Sequence, residues 1–109
     1  MAQDFKRYQD SATGTTPVVV HTADSNDTVI SIRLANIHAS ASIVVAVYVT
    51  ISSVNYYLIR NSPIPFGSSL ELIDSGSKIV LQNGDALTIV SDTASSLDST
   101  VSMVDAVSA

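Results

Sequence analysis

Residues with the chemistry of an active site are few in this sequence and lie far apart. His21 and His38 are its only imidazoles, and neither has a second metal ligand at a suitable spacing beside it. Glu71 is the only glutamate, so paired carboxylates for acid–base catalysis would have to be aspartates, most of which occupy turn segments. We therefore interpret both histidines as strand-end or loop residues.

A short acidic segment contains Asp24, Asn26 and Asp27, whose oxygen atoms are the ligand type that calcium prefers. The segment lacks the spacing and the closing glutamate of an EF-hand loop, so an Asx turn is the simpler interpretation. The same interpretation, a side chain hydrogen-bonded to its own turn, applies to Asp74, Asp85 and Asp92. The sequence predicts no metal ligand.

Motifs of the common enzyme classes are also missing. The chain has no cysteine, which removes disulfides, thiolate metal sites and cysteine nucleophiles. Its 18 serines offer partners for a histidine, but there is no G-x-S-x-G nucleophile elbow, and its four glycines form no phosphate-binding loop. The sequence predicts no catalytic residue and no cofactor, and we do not expect an enzyme.

Size and charge limit the partners. The 109 residues suit one domain, and a net charge of -5 is the wrong sign for binding nucleic acid or an anionic membrane. No apolar run approaches the roughly 18 residues of a membrane-spanning helix, and the charged N-terminal segment is not a signal peptide. We expect a chain made in the cytosol that binds neither nucleic acid nor membrane.

The composition favours strands. Fourteen valines, ten isoleucines and nine threonines pack well on a pleated sheet, and a periodicity of two recurs between turn residues. The predicted strands are 15–22, 28–36, 41–52, 55–61, 69–73, 78–81, 86–91 and 100–107. We predict an all-β fold, an antiparallel two-sheet β-sandwich of immunoglobulin-like or jelly-roll type with about eight strands, whose order stays open.

Two predicted strands carry specific expectations about burial. In residues 28–36, Ile30, Ile32 and Leu34 alternate with polar residues and should share the buried face. In residues 41–52, the odd positions form an unbroken apolar row, while the other face is semi-polar. An exposed face of that kind invites association, so we expect another subunit to cover it.

Turn residues make two further predictions. Asn83-Gly84 suits a type I′ turn, which needs positive φ at both central positions, so residues 78–81 and 86–91 should pair as a hairpin. Pro63 and Pro65 remove two backbone donors within three residues. Segment 62–67 is therefore expected to leave the sheet and cross over.

Residues 1–14 differ from the rest and are predicted to form an extended N-terminal arm, followed by a β-sandwich domain over residues 15–109. Phe5, Lys6, Arg7 and Tyr8 combine apolar anchors with charge, which suits a strap that orders on binding a neighbouring chain; a frayed tail is the alternative. Alternation puts Tyr56 and Tyr57 on opposite faces, one in the core and one at the surface. We predict a protein interface formed by Phe5, Lys6, Arg7, Tyr8 and Tyr56.

Two stretches carry a resemblance to a known group of proteins. Residues 57–70, YLIRNSPIPFGSSL, contain a P-x-P-x-G-x-S-L crossover, and residues 78–87, KIVLQNGDAL, contain a K-x-V-L-x-x-G-D hairpin. With the opening Phe5-Lys6 segment and the Ser-rich connection 92–99, the chain resembles small β-sandwich virion structural proteins of tailed bacteriophages, especially marine and cyanobacterial phages. The resemblance covers nearly the whole chain and is a pattern of turns and apolar alternation.

The resemblance implies a non-enzymatic virion protein without catalytic residues. We expect a capsid decoration or cement protein that binds other virion proteins, such as the major capsid protein, and forms a homo-oligomer, with a trimer favoured. It would be located in the virion after assembly in the host cytoplasm. A neck, tail or fibre-attachment component is the alternative within this class, and a carbohydrate-binding module is a second alternative, since jelly rolls include lectins.

Overall fold

The strand-rich composition produces an all-β protein. A computed structural model describes residues 4–73 and 78–105, and within these the chain forms antiparallel strands and no helix. The strands are β1 (Asp4–Thr13), β2 (Val18–Thr22), β3 (Asp27–Asn36), β4 (Ile43–Ile51), β5 (Val54–Ile64), β6 (Ser69–Glu71), β7 (Ile79–Leu81), β8 (Ala86–Ser91) and β9 (Leu97–Asp105). The described part of the chain thus contains no helix long and apolar enough to cross a membrane.

The nine strands form two sheets. The first sheet has the order β1-β9-β3-β6, with β7 also paired to β3, and the second has the order β2-β8-β4-β5. Strands β6 and β7 pair with opposite ends of β3, so together they occupy one position in the sheet. Each sheet therefore has four strand positions. The chain alternates between the two sheets from β1 to β4 and again from β7 to β9. This is the topology of a jelly roll. The predicted all-β sandwich is confirmed, and the strand order selects the second of the two predicted types.

The core lies between the two sheets and is built mainly from aliphatic side chains. The first sheet contributes Ile32, Leu34, Val101 and Met103, all of which have no exposed surface. On β4 the odd positions from Ile43 to Val49 are buried as predicted, and only Ile51, beyond the end of the neighbouring strand, is exposed. Burial of each such side chain stabilises the fold by about 1.5–3 kcal/mol.

The predicted burial of Ile30 differs from the structure. Val29 and Ile32 are fully buried, whereas Ile30 is half-buried. The register of β3 with β9 shifts between Val29 and Ser31, which is a β-bulge. A bulge inserts one extra residue and so reverses the inward and outward sides of the strand, and the alternation seen in the sequence does not reveal it.

The two prolines behave differently from each other. Pro63 lies inside β5 and is opposite Val44, so the strand continues through it instead of crossing over there. This is possible because β5 is an edge strand, where a missing N–H faces solvent and breaks no ladder hydrogen bond. The strand ends at Ile64, immediately before Pro65.

The hairpin predicted at Asn83-Gly84 is wrong, although the turn itself forms. The amide of Asp85 donates to the carbonyl of Gln82 at 2.9 Å, and of the two central residues only Gly84 has positive φ. That is the pattern of a type II turn and not of type I′. The flanking strands do not pair, because β7 joins β3 in the first sheet and β8 joins β2 and β4 in the second.

The structure also differs from the predicted arm over residues 1–14. Residues 4–13 form β1, an edge strand of the first sheet that pairs with β9 from Asp4 opposite Asp105 to Thr13 opposite Leu97. Residues 1–3 lie outside the described part of the chain. The ladder with β9 supplies the backbone partners that a solvated arm would lack, so the boundary predicted at residue 14 does not separate an arm from the sheet.

The only two-residue hairpin loop within the described residues joins β4 to β5. Ser52 and Ser53 both have positive φ, +51° and +67°, between the paired residues Ile51 and Val54. This is the type I′ geometry, which favours Asn and Gly, and a non-glycine residue held there costs on the order of 1 kcal/mol.

We expect the double substitution Ser52→Asn and Ser53→Gly to raise the free energy of unfolding by about 1 kcal/mol, because both residues then suit their backbone conformation. Urea denaturation measures the change. Ser40→Gly, in a loop without positive φ, is the control and should give no gain. Equal effects of the two changes would contradict the assignment of the turn.

Candidate functional site

A cluster of polar side chains lies at one end of the sandwich, where β1, β2, β3 and β9 come together. Its members are Tyr8, His21, Asp24, Ser25, Asp27 and Asp105. The strand pairings explain the arrangement: Asp27 begins β3, Asp105 ends β9, and His21 lies near the end of β2. It is the densest group of titratable residues in the described part of the chain.

Asp27 is the centre of the cluster and is completely buried. Its Oδ2 accepts a hydrogen bond from His21 Nε2 at 2.8 Å, and its Oδ1 accepts one from the Ser25 hydroxyl at 2.8 Å. Both oxygens of the carboxylate are therefore satisfied by neighbouring side chains. A buried carboxylate with such partners joins the elements that hold them, here β2, β3 and the loop between them.

Tyr8 attaches β1 to this cluster. Its ring stacks on the imidazole of His21, with centroids 4.3 Å apart and an angle of 29° between the planes. Burial raises the pKa of the Tyr8 hydroxyl, and the negative charges of Asp105, Asp27 and Asp24 raise it further. Tyr8 therefore stays neutral through the physiological pH range.

Asp105 and Asp92 respond to their surroundings in opposite directions. A hydrogen bond with Asp27 is the main cause that raises the pKa of Asp105, with burial and the charge of Asp27 adding to it. The amide of Val44, which donates to Asp92 Oδ1 at 2.9 Å, is the main cause that lowers the pKa of Asp92. Asp92 was predicted to bond its own turn, but it also joins two strands of the second sheet.

These directions predict opposite effects of pH on stability. A raised pKa in the folded state means that Asp105 contributes stability below the ordinary value of 3.8, and that this contribution is lost as the pH rises through the raised pKa. Asp92 contributes above 3.8 and loses its contribution as the pH falls through its lowered pKa.

The wild type should lose stability as the pH rises above 3.8 through the raised pKa of Asp105, and we expect Asp105→Asn to lack this decrease. The wild type should also lose stability as the pH falls below 3.8 through the lowered pKa of Asp92, and we expect Asp92→Asn to lack that decrease. Urea denaturation of both variants and the wild type over a pH series measures this. If both substitutions changed the pH dependence of the free energy of unfolding in the same direction, the opposite pKa shifts of Asp105 and Asp92 would be contradicted.

The order of contacts decides what chemistry the cluster can do. Ser25 donates to Asp27 and not to His21, so the carboxylate stands between the hydroxyl and the imidazole. In a nucleophilic triad the histidine stands in the middle and accepts the hydroxyl proton, which this arrangement does not provide.

Metal binding is the other chemistry open to the cluster. Asp24, Asp27 and Asp105 each offer a carboxylate oxygen, and these atoms lie within 4.8 Å of one another, a set that suits a hard cation. Asp27 already uses both oxygens in internal hydrogen bonds. The cluster thus acts in the described structure as a tie between four strands.

Other residues singled out from the sequence have structural contacts. His38 Nδ1 accepts hydrogen bonds from the amides of Ser40 and Ala41, which confirms its position in a loop. Glu71 accepts from Arg33 Nε at 3.0 Å on the outer face of the first sheet. The carboxylate of Asp85 accepts from the amide of Gln82, as predicted for a turn aspartate. Asp74 lies outside the described residues.

The structure does not bring the predicted interface residues together. Phe5, Lys6 and Arg7 are exposed on β1, with Phe5 83% exposed, and Tyr8 is half-buried against His21. Tyr56 lies on β5, the edge strand of the other sheet at the far side of the sandwich. The four residues on β1 are thus far from Tyr56, and an interface that includes all five would need more than one copy of the chain.

The prediction that one of the two adjacent tyrosines is in the core is wrong. Tyr56 is 55% exposed and Tyr57 43% exposed. They lie on β5, an edge strand whose pairing with β4 has two irregularities. The ring of Tyr57 packs instead on the outer face, 5.1 Å from the ring of Tyr48, and the guanidinium of Arg60 lies 4.8 Å above it.

The outer faces of the two sheets differ sharply in charge. The strands of the first sheet contain nine charged residues, of which Asp27 is buried, whereas those of the second contain one, Arg60, at its edge. Apart from Arg60, whose guanidinium lies over Tyr57 at the edge, the outer face of the second sheet has uncharged side chains, and one row of them is in register across all four strands. They are Val19, Thr88, Tyr48 and Tyr57 in one row and Ala46 and Val90 in the next.

The sheet edges, in contrast, are poor surfaces for pairing. Strand β5 contains Pro63 and two irregularities, β2 has five residues with a bulge, and β6 and β7 have three residues each. Strand β1 carries Lys6 and Arg7 and has a bulge near its end. Short, charged or bulged edges prevent strands of other molecules from adding on, so a face is the better surface for contact.

No protein-family model and no curated protein matches this sequence.

Proposed function

We propose that this protein is a non-enzymatic structural component of a tailed-bacteriophage virion, a decoration or cement protein that stabilises the capsid shell through contacts with other proteins. The observation that carries the proposal is the outer face of the second sheet. A partner that covers Val19, Ala46, Tyr48 and Val90 removes apolar surface from water without leaving a buried charge unpaired.

The size of this face favours an adhesive that works in many copies. Four strands about 4.8 Å apart and some six residues long give an area on the order of 400 Å². A standard stable interface buries about 800 Å² on each partner, so one such contact is weak. Many symmetric copies on a shell convert weak contacts into firm attachment through avidity.

The fold and the sequence pattern support the same function. Jelly rolls are used by viral capsid proteins as well as by lectins, and the turns in residues 57–70 and 78–87 resemble those of phage virion proteins. A fold alone does not decide function, and the uncharged face therefore carries more weight in the proposal. The protein would form a homo-oligomer, with a trimer favoured, and be located in the virion.

The proposal is tested by adding the purified protein to capsid shells, and separately to isolated tails, of the phage that encodes it. We expect saturable binding to shells, a higher temperature for shell disruption, and a solution mass that is a multiple of the 11.4 kDa chain. Binding to tails alone would support the neck or tail alternative. A single-chain mass with saturable glycan binding would support the carbohydrate-binding alternative.

A further inference from the structure

Strand β1 is attached to the rest of the molecule in an unusual way. It pairs with β9 along nearly its whole length, at eight positions from Asp4 to Thr13. Among its described side chains, none belongs to the buried apolar core; Tyr8 packs partly against it and Thr13 is the one buried residue. The strand is thus held mainly by its backbone ladder, by the stacking of Tyr8 on His21, and by hydrogen bonds that Ser11 and Ala12 donate to the Asp98 carboxylate.

The segment that is held in place together with β1 ends in the connection from β1 to β2. The carbonyls of Thr13 and Gly14 accept hydrogen bonds from the amides of Ser96 and Ser91. Residues 15–17, which follow, are exposed. The segment that is held by β9, by the loop before β9 and by the end of β8 therefore runs to Gly14.

The three exposed residues suit an open connection. Pro17 has a fixed φ, and a residue that precedes proline, here Thr16, is restricted to extended conformations. Residues 15 and 16 form a bend in this structure, and straightening this bend would let the strand reach another molecule. A short, stiff hinge loop is also a recognised cause of strand exchange between copies.

Exchange between copies would preserve almost every contact. If β1 of one copy lay on β9 of the next, the same register pairs, the Tyr8–His21 stack and the bonds of Thr13 and Gly14 would form between chains. The free energies of the closed and exchanged forms then differ mainly in the hinge and in the cost of association, so protein concentration decides between them.

We propose that residues 4–14 exchange between copies of this chain, so that the β1 strand of one subunit completes the first sheet of its neighbour. The inference rests on the proposed assembly role and deepens it by naming the partner as a second copy. Donation in one direction around a ring closes a cyclic oligomer in which every β9 keeps a β1 partner.

The test uses the absence of native cysteines. Arg7 and Ser102 are opposite each other in the β1–β9 register, and opposite residues of an antiparallel pair lie close enough for a disulfide. Two separate proteins, R7C and S102C, are unfolded together in urea, refolded at high concentration and slowly oxidised. A disulfide between positions 7 and 102 then joins two different chains, and it forms efficiently where β1 of one chain lies on β9 of another.

A matched control comes from the β4–β5 hairpin. Thr50 and Asn55 are also opposite each other, but the two-residue turn between their strands prevents exchange. We expect peptide mass spectrometry to find at least about tenfold more 7–102 linkage in the first mixture than 50–55 linkage in a mixture of T50C and N55C. Equal linkage in the two mixtures would overturn the exchange.

The exchange and the assembly role fail in different ways. A wild-type oligomer by mass, without 7–102 linkage, would overturn the exchange and leave the assembly role standing. Strong 7–102 linkage in a protein that binds neither shells nor tails would support the exchange and overturn the virion role.

Discussion

Replacing Asp27 with alanine is expected to lower the free energy of unfolding by about 3 kcal/mol, because it removes the fully buried carboxylate to which the polar cluster is hydrogen-bonded. His21 Nε2 and the Ser25 hydroxyl, which donate to this carboxylate at 2.8 Å, would lose their acceptor. The stacking of Tyr8 on His21 would loosen with them, so the attachment of β1 should weaken as well.

Urea denaturation at neutral pH measures the effect, and Asp24→Ala is the matched control. Asp24 belongs to the same cluster but is exposed, and its loss should change stability by less than about 0.5 kcal/mol. A loss from Asp27→Ala no larger than that of the control would contradict the view that this carboxylate ties the strands together.

The second large effect concerns association. We expect Ala46→Lys to weaken binding to the shell, or to other copies of the chain, by at least about tenfold, since burying the new ammonium without a partner costs several kcal/mol. Ala46 lies in the middle of the outer face of the second sheet and is half-buried, so a lysine there reaches solvent in the free protein.

Ser102→Lys is the matched control on the first sheet. Ser102 is also a half-buried, outward-facing residue of an inner strand, but its face already carries charges such as Arg33 and Glu71. Sedimentation with capsid shells compares the two variants, and thermal denaturation checks that both are folded. Equal losses of binding would mean that the second sheet has no special part in association.

Local alternation predicted the strands well where the pairing is regular. The odd positions of β4 are buried as predicted because its pairing with β8 is regular and the strand keeps a period of two up to Val49. The alternation predicted the wrong burial for Ile30, because a bulge in the pairing with β9 reverses which side chains of β3 point into the core. A bulge depends on the partner strand, and the sequence of β3 alone carries no sign of it.

The same limit applies to the pairing of strands and to the polar cluster. Asn83-Gly84 predicted a turn, which forms, but a turn does not specify whether the chain stays in one sheet or crosses to the other. The acidic segment Asp24 to Asp27 was visible in the sequence, whereas Asp105 joins it only through the pairing of β3 with β9. No local signal connects residues that far apart along the chain.

The position of β9 has a consequence for the time at which the protein can fold. This strand lies between β1 and β3, so the first sheet has a gap at its centre until residue 105 has been synthesised. Until then the apolar faces of the earlier strands stay exposed on the nascent chain, and pairing between segments this far apart in the sequence is slow. A chaperone that shields nascent strands would therefore be expected to raise the yield of native protein.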